Sequence, residues 1–282
     1  MNSPEFEYVV RLLRERAGIV IGPDKEYLLD LRLGPVVKSN GLHTLTELVD
    51  RLKAGAEALV SQVVDSMTTN ETSFFRDGGP FDLLRTAVLP ELTAQRSRDR
   101  PIRIWCAAAS TGQEPYSLAM LLRENRSQFG GHTFEIVATD IATHVLARAE
   151  AGIYSRFEVQ RGMPPALLAK YFDRDADDWQ IKSEIRKSVT FRRHNLMSDP
   201  RALGLFDLVL CRNVLIYFDQ PTKARVLERI AGQLRPGGKL LLGGAETVFG
   251  ISSLFQPVTG MRGAFERVAS PAVAAARMAA VA

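Results

Sequence analysis

Cysteine is almost missing from this chain, with Cys106 and Cys211 the only two in 282 residues. Two cysteines so far apart supply neither a disulfide framework nor a thiolate metal cage, and no C-x-x-C or H-E-x-x-H pattern occurs. They read as small buried residues in a reducing compartment. Long apolar runs are missing too, since none reaches the length needed to span a bilayer. The opening segment MNSPEFEYVV carries acids where a secretory leader would carry lysines, so a cytoplasmic location is expected. A formal net charge of +4 is small for this length, residues 1–72 hold more acids than bases, and no basic cluster interleaved with aromatics stands out. Nucleic acid is left a minor hypothesis, and no nucleic-acid partner is expected. What remains, at 46% hydrophobic and 24% charged residues, is ordinary globular composition: one large domain, or a medium one with a small one.

The first seventy residues read as short helices with clear punctuation. Ser3-Pro4 offers an N-cap followed by proline at the first helical position, and the apolar residues of EFEYVVRLLRERAG keep helical spacing until Gly18. A second helix starts near Asp24, with Gly34-Pro35 as a kink and Gly41 as a stop. Thr44-Leu45-Thr46-Glu47 has the form of a capping box opening a third, and AEALVSQVVDSM gives a fourth. Beyond a connecting segment the period changes. IRIWC, FEIVATD, VTFRRHNL, FDLVLCRNVLIYF and GGKLLLGGA alternate with helical runs, the mark of an α/β fold with a parallel sheet. The stretch 157–186 breaks this rhythm with Pro164-Pro165 and an acidic turn, and reads as an inserted subdomain. The expected division is a helical unit over 1–70, a connector over 71–80, an α/β domain over 81–269 and a frayed tail over 270–282.

One stretch carries chemistry. Trp105 to Tyr116, WCAAASTGQEPY, lies between a strand and a helix, where a phosphate would be held. Phosphate is disfavoured here, because only Gly112 permits close backbone approach and Glu114 would repel an anion. A ligand bearing an ammonium suits Glu114. S-adenosylmethionine has one, together with ribose hydroxyls that need a second acid at the tip of the next strand, where Asp140 stands. Taken singly, Glu114 could be a first-turn acid favoured by the helix dipole and Asp140 a helix N-cap; together they favour the cofactor.

TTNETSFFRD (68–77), AAASTGQEPYSLAM, ATDI, HNL and CRNVLIYF together resemble the CheR family, the glutamate methyltransferases of chemotaxis receptors, over residues 1–268. The resemblance implies a class I, Rossmann-like methyltransferase domain with a small inserted β-subdomain, preceded by an all-α domain. It also implies S-adenosylmethionine as cofactor. The family's cofactor contacts fall on Asn70, Thr72, Arg76, Glu114, Asp140, Asn195, Leu196, Arg212 and Asn213. Gln113 departs from the pattern, where many members carry a further acid. Basic positions that meet the acidic receptor helix fall on Lys25, Arg32 and Lys38, of which Lys25 and Arg32 would share a face; ordinary solvated charge is the alternative. The inserted segment lacks the glycine-containing extension of relatives that bind a receptor's C-terminal peptide, so a peptide-independent form is expected.

A glutamate carboxylate with an ordinary pKa near ~4.3 is ionised at neutral pH, so methyl transfer to it needs alignment and exclusion of water rather than a general base. Arg76 and Tyr217 are the expected positioning groups, a guanidinium fork and a neutral phenol. Arg76 could instead pair with Asp77, and Tyr217 could be core. Phe74 and Phe75 read as packing, His43 and His194 as structural, and Gly237-Gly238 as a turn. No metal and no oligomer are expected. The competing readings are a carboxyl methyltransferase for another protein or small acid, and a non-catalytic scaffold.

Overall fold

The computed structural model describes residues 3–268. Four helices come first: α1 (Ser3–Ala17), α2 (Glu26–Ser39), α3 (Leu45–Lys53) and α4 (Glu57–Met67). Their apolar stripes close on one another around Leu13, Leu29, Leu33, Leu48 and Val63, all fully buried. Thr44 caps α3 by accepting the Glu47 N–H at 3.1 Å, while the Glu47 carboxylate reaches back one residue further than a capping box requires, to the His43 N–H at 3.0 Å. Gly34-Pro35 does not break α2, which runs continuously to Ser39. Pro35 is exposed, so water can serve the carbonyl its ring leaves unbonded. The Ser3 side chain and the tail over 270–282 lie outside the described residues.

After the connector, α5 (Gly79–Leu83) continues through one π turn into α6 (Leu89–Gln95). The sheet domain then follows as β1 (Ile102–Ala107), α7 (Gln113–Glu124), β2 (Phe134–Asp140) and α8 (Thr143–Ala151). An insertion holds β3 (Ile153–Ser155), α9 (Arg156–Gln160), α10 (Pro165–Tyr171), β4 (Phe172–Asp175), β5 (Asp178–Ile181) and α11 (Ser183–Arg186). The chain returns through β6 (Val189–Arg193), β7 (Phe206–Cys211), α12 (Gln220–Gln233), β8 (Leu234–Leu242), β9 (Phe255–Pro257) and β10 (Ala264–Arg267). Seven strands form one sheet in the order β6-β2-β1-β7-β8-β10-β9, with β10 antiparallel to both neighbours. Renumbered within that sheet the order is 3-2-1-4-5-7-6, the class I methyltransferase arrangement.

β1 and β7 are buried along nearly their whole length because helices cover both faces. One apolar cluster, with Leu118, Phe129 and Leu208, fills the face under α7; the other, with Trp105, Val209 and Leu227, fills the face under α12. The insertion forms its own small sheet, β3-β5-β4, which begins at Ile153. It packs against Phe74 of the connector, fully buried and edge-on to Tyr154 and Phe172 at 5.0 and 5.6 Å. Gly162 lets this happen: at φ +89 it approaches so closely that a Cβ would sit 2.1 Å from the Phe74 carbonyl oxygen.

Candidate active site

Strand order reverses beside β1, so the loops after β1, β2 and β7 open a crevice at the carboxyl ends of the strands. The turn after β1 holds Ala108 and Ser110 at φ +59 and +51, conformations that cost about 1 kcal/mol or more outside glycine. Gly112 caps α7 at φ +94, where a Cβ would stand 2.9 Å from that of Ala149. The carboxylate of Asp140 holds this turn, accepting the Ser110 N–H at 2.8 Å with one oxygen and the Ala142 N–H at 3.0 Å with the other. Burial raises its pKa, opposed by those backbone donors. Ser110 Oγ in turn donates to the Asn70 carbonyl at 2.7 Å and draws the connector over the turn.

Glu114 is built into a charged cluster. Its Oε2 accepts from Arg212 Nη1 at 2.8 Å, while Arg212 Nη2 serves Asp77 Oδ2 at 2.9 Å and the Arg76 carbonyl at 3.1 Å. The Arg212 side chain is 1% exposed. Burial pushes the Glu114 pKa up, and Arg212, followed by Arg76, pulls it back without restoring it. A buried guanidinium between two carboxylates leaves acceptor capacity on Glu114 and one orphan donor, Arg212 Nε. The alternative pairing of Arg76 with Asp77 does not occur among the described ion pairs, where Arg212 takes that acid. Arg76 instead donates through Nη1 to the Glu71 carbonyl at 2.9 Å, and the rest of its fork is available to a ligand.

The sequence reading missed Glu246. Its two oxygens accept four backbone N–H groups, from Asn213, Val214, Leu215 and Gly243, at 2.7–2.9 Å. With Asn213 at φ +58 this ends the extended run at Cys211, so Tyr217 lies in a short 3-10 turn and not in the strand that its apolar surroundings suggested. The signal was available: Glu246 follows LLLGGA, an acid shortly after a strand, much as Asp140 ends one. Tyr217 is partly buried against the second core, and its carbonyl accepts the Val20 N–H at 3.3 Å from the helical unit. Asn195 makes a second tie, donating to the Arg16 carbonyl at 2.6 Å and accepting the Met197 N–H at 2.9 Å.

These pieces enclose one cleft. Its wall contains Asn70, Thr72, Arg76, Glu114, Asp140, Asn195, Leu196, Arg212, Asn213 and Tyr217, with Ala17 and Ile19 from the helical unit. His194 also borders it, its ring edge-on to Trp105 at 5.9 Å, its Nε2 unpartnered and its pKa lowered by burial. Lys25, Arg32 and Lys38 lie outside that wall. Lys25 sits in a 3-10 turn before α2, and Lys38 is exposed near its end. Arg32 does not share an exposed face with Lys25: its Nη1 donates to the Met67 and Thr68 carbonyls at 2.9 and 3.0 Å and fixes the start of the connector. Both cysteines are buried with thiol pKa values pushed well up. Among the described residues no three His, Cys, Asp or Glu side chains gather as a metal site, and no helix is long and apolar enough to cross a membrane.

Residues 4–68 match the family model for the CheR methyltransferase all-alpha domain, and residues 70–264 that for the CheR methyltransferase SAM binding domain. The chain belongs to the CheR methyltransferase family. Chemotaxis protein methyltransferase 1 of Pseudomonas aeruginosa is 42% identical over 260 residues, covering 91% of this chain and 94% of its own. The chemotaxis protein methyltransferase of Vibrio parahaemolyticus is 40% identical over 263 residues, covering 92% and 94%. Chemotaxis protein methyltransferase 1 of Vibrio cholerae is 41% identical with the same coverage. This CheR protein is thus an enzyme, a methyltransferase with a SAM-binding domain of class I fold, acting in chemotaxis. The boundary between the two family matches falls at the connector that Arg32 and Ser110 fasten.

Proposed function

We infer that this enzyme transfers a methyl group from S-adenosylmethionine to glutamate side chains in the cytoplasmic helices of chemoreceptors, forming glutamyl methyl esters and S-adenosylhomocysteine. The observation that carries the reading is the cleft itself. It sets a buried carboxylate, Asp140, near a largely buried one, Glu114, beyond neighbouring strands, suited to ribose hydroxyls and to an ammonium, beside an arginine fork and a phenol suited to an incoming carboxylate.

When bound, S-adenosylmethionine supplies an electrophilic methyl on a sulfonium. Glu114 would hold its ammonium and Asp140 its ribose, with Asn70, Thr72, Asn195, Leu196 and Asn213 completing the wall and Arg212 acting through Glu114. Arg76 would bind both the cofactor's carboxylate end and the acceptor, and with Tyr217 would orient the attacking oxygen. Orientation of two reactants is worth on the order of 7 to 11 kcal/mol, and no proton has to move because the acceptor is already ionised. The work is alignment. No metal takes part.

The acceptor would approach across α2, past Lys25 and Lys38, in the cytoplasm. The β4–β5 hairpin closes on Ala176-Asp177 alone, which favours recognition without a receptor C-terminal peptide. The enzyme would act as a monomer and without nucleic acid. The test is transfer of radiolabelled methyl from S-adenosylmethionine to purified receptor cytoplasmic domains, followed by base. Volatile methanol released from the receptor supports a carboxyl ester, whereas base-stable label on a receptor, or none, contradicts it.

A further inference from the structure

Four arginines, Arg96, Arg98, Arg100 and Arg103, fall within eight residues of sequence against a single acid, Asp99. The run joins α6 to the start of β1, at the amino ends of the strands, whereas the methyl-transfer cleft opens at their carboxyl ends. There it meets Asp207, the second residue of β7, whose strand lies between β1 and β8 and whose side chain is fully buried. Asp207 Oδ1 accepts from Arg96 Nε at 2.8 Å. Its Oδ2 accepts from the Arg103 backbone N–H at 3.0 Å, from Arg235 Nη1 of β8 at 3.2 Å and from Arg100 Nη1 at 3.3 Å. Arg100 and Arg235 reach for the same oxygen, so their guanidiniums are neighbours.

The charges do not balance. Three guanidiniums meet one carboxylate, and no other acid relieves them: Glu135 takes the Arg103 guanidinium at 2.9 Å through both oxygens, and Asp99 accepts from Ser97 Oγ at 2.6 Å. Burial lowers the Arg235 pKa; Asp207 opposes this, and Arg100 and Arg103 lower it further, as crowded cations do. The three arginines also differ in how they are held. Arg96 is a strut, 14% exposed, with a second bond of 2.8 Å to the Pro236 carbonyl. Arg100 and Arg235 are 40 and 24% exposed and touch Asp207 only through long bonds, so most of their N–H donors meet no other group among the described residues.

Two neighbouring forks with free donors, above a carboxylate that the arginines outnumber, suit a second anion. Phosphate fits best. The guanidinium fork matches its oxygens, and a phosphomonoester or diphosphate brings about two negative charges, against an excess of two positive ones, where a carboxylate brings one. A nucleic-acid strand fits poorly, because the ring beneath Arg103, Phe206 at 4.5 Å, is fully buried and offers no face for a base.

We propose that Arg100 and Arg235 form a binding site for a phosphate-bearing ligand at the amino ends of β1, β7 and β8, with Arg96 and Asp207 as its fixed floor. A ligand held there ties the loop before β1 to β8 and stabilises the folded chain by mass action.

The test titrates the whole chain, with the cleft filled by excess S-adenosylhomocysteine, against pyrophosphate by calorimetry at low ionic strength. A second arm uses sedimentation with vesicles of phosphatidylcholine and phosphatidylglycerol. Saturable binding is expected in at least one arm, weakened about tenfold or more in Arg100→Gln/Arg235→Gln. Pyrophosphate alone identifies a free phosphate ligand and vesicles alone a lipid headgroup; either supports the site. Asp207 keeps Arg96 and the Arg103 N–H in this variant, and a melting curve checks its fold. Should it melt early, Arg100→Lys/Arg235→Lys carries the comparison: it keeps the charge but loses the forks, so intermediate affinity supports the site and unchanged affinity overturns it. Absence of binding in both arms overturns the proposal, as does binding that the folded Gln pair leaves unchanged.

Discussion

Three carboxylates in and around the cleft do different work, and each supports its own prediction. Glu114 and Asp140 are raised by burial, so the folded protein holds their protons more tightly than the unfolded chain. A group shifted in that direction contributes stability below its unfolded value that is lost as pH rises through its folded value. The unfolding free energy of wild type relative to Glu114→Gln should therefore fall as pH is raised from the ordinary glutamate range towards neutrality; a flat difference in paired denaturant titrations would contradict the assignment. A bound ammonium would reverse that shift, so cofactor affinity in wild type should strengthen over the same window. Glu246 acts through four backbone donors. Glu246→Gln keeps the shape but turns an amide N–H₂ towards N–H groups, at a cost of about 1–3 kcal/mol, and should weaken cofactor binding by loosening Asn213; chemical denaturation and calorimetry read both. Arg76→Ala should keep the melting temperature and lower kcat/KM by about 10²-fold or more, as loss of an aligning group does. Full activity in that variant would remove Arg76 from the catalytic account.

At the scale of elements, the connector between α4 and α5 is the part on which the cleft depends. It is fastened by Arg32 at its start, by Ser110 over the turn after β1, by Phe74 in the core, and by Ser117 Oγ accepting the Phe75 N–H at 2.9 Å. Phe75 and Asp77 are held at φ +46 and +70, strain that survives only because these ties over-determine the path. Phe74→Ala should cost about 3–5 kcal/mol and release the insertion with the connector, seen as protease cutting near residues 68–80 before global unfolding. Much of this level was legible from sequence. Alternation of strand and helix pointed to the sheet, and acids following two strands singled out Glu114 and Asp140, which come together on the cleft wall, because both signals are local. What stayed hidden depends on distant contacts. Arg32 looks like a surface cation until Met67 and Thr68 are beside it, and Tyr217 reads as strand until Glu246, 29 residues on, claims the N–H groups before it. Pro35 read as a kink because propensity ranks it as a breaker, yet it stands on an exposed face where water can serve the freed carbonyl, and α2 runs on.

The whole molecule is two units, one helical and one built on the sheet, sharing one cleft wall. The helical unit supplies Ala17, Ile19 and Met67 to the cleft, and the sheet domain supplies the carboxylates. Between them run the Asn195–Arg16 and Val20–Tyr217 bonds, an Arg14–Asp219 ion pair, and the hydrogen bonds from Thr143 N–H and Oγ1 to Asp65 at 3.0 and 2.6 Å. The proposed protein acceptor would meet this helical unit as well as the sheet domain. The central claim is therefore about the acceptor atom, and site-mapped mass spectrometry of a receptor cytoplasmic domain, after incubation with enzyme and S-adenosylmethionine, tests it most directly. The account predicts added methyl groups on glutamate side chains alone, lost on mild base treatment and absent with Arg76→Ala. Methyl groups on lysine, on an amide nitrogen or on no residue of the receptor would contradict it.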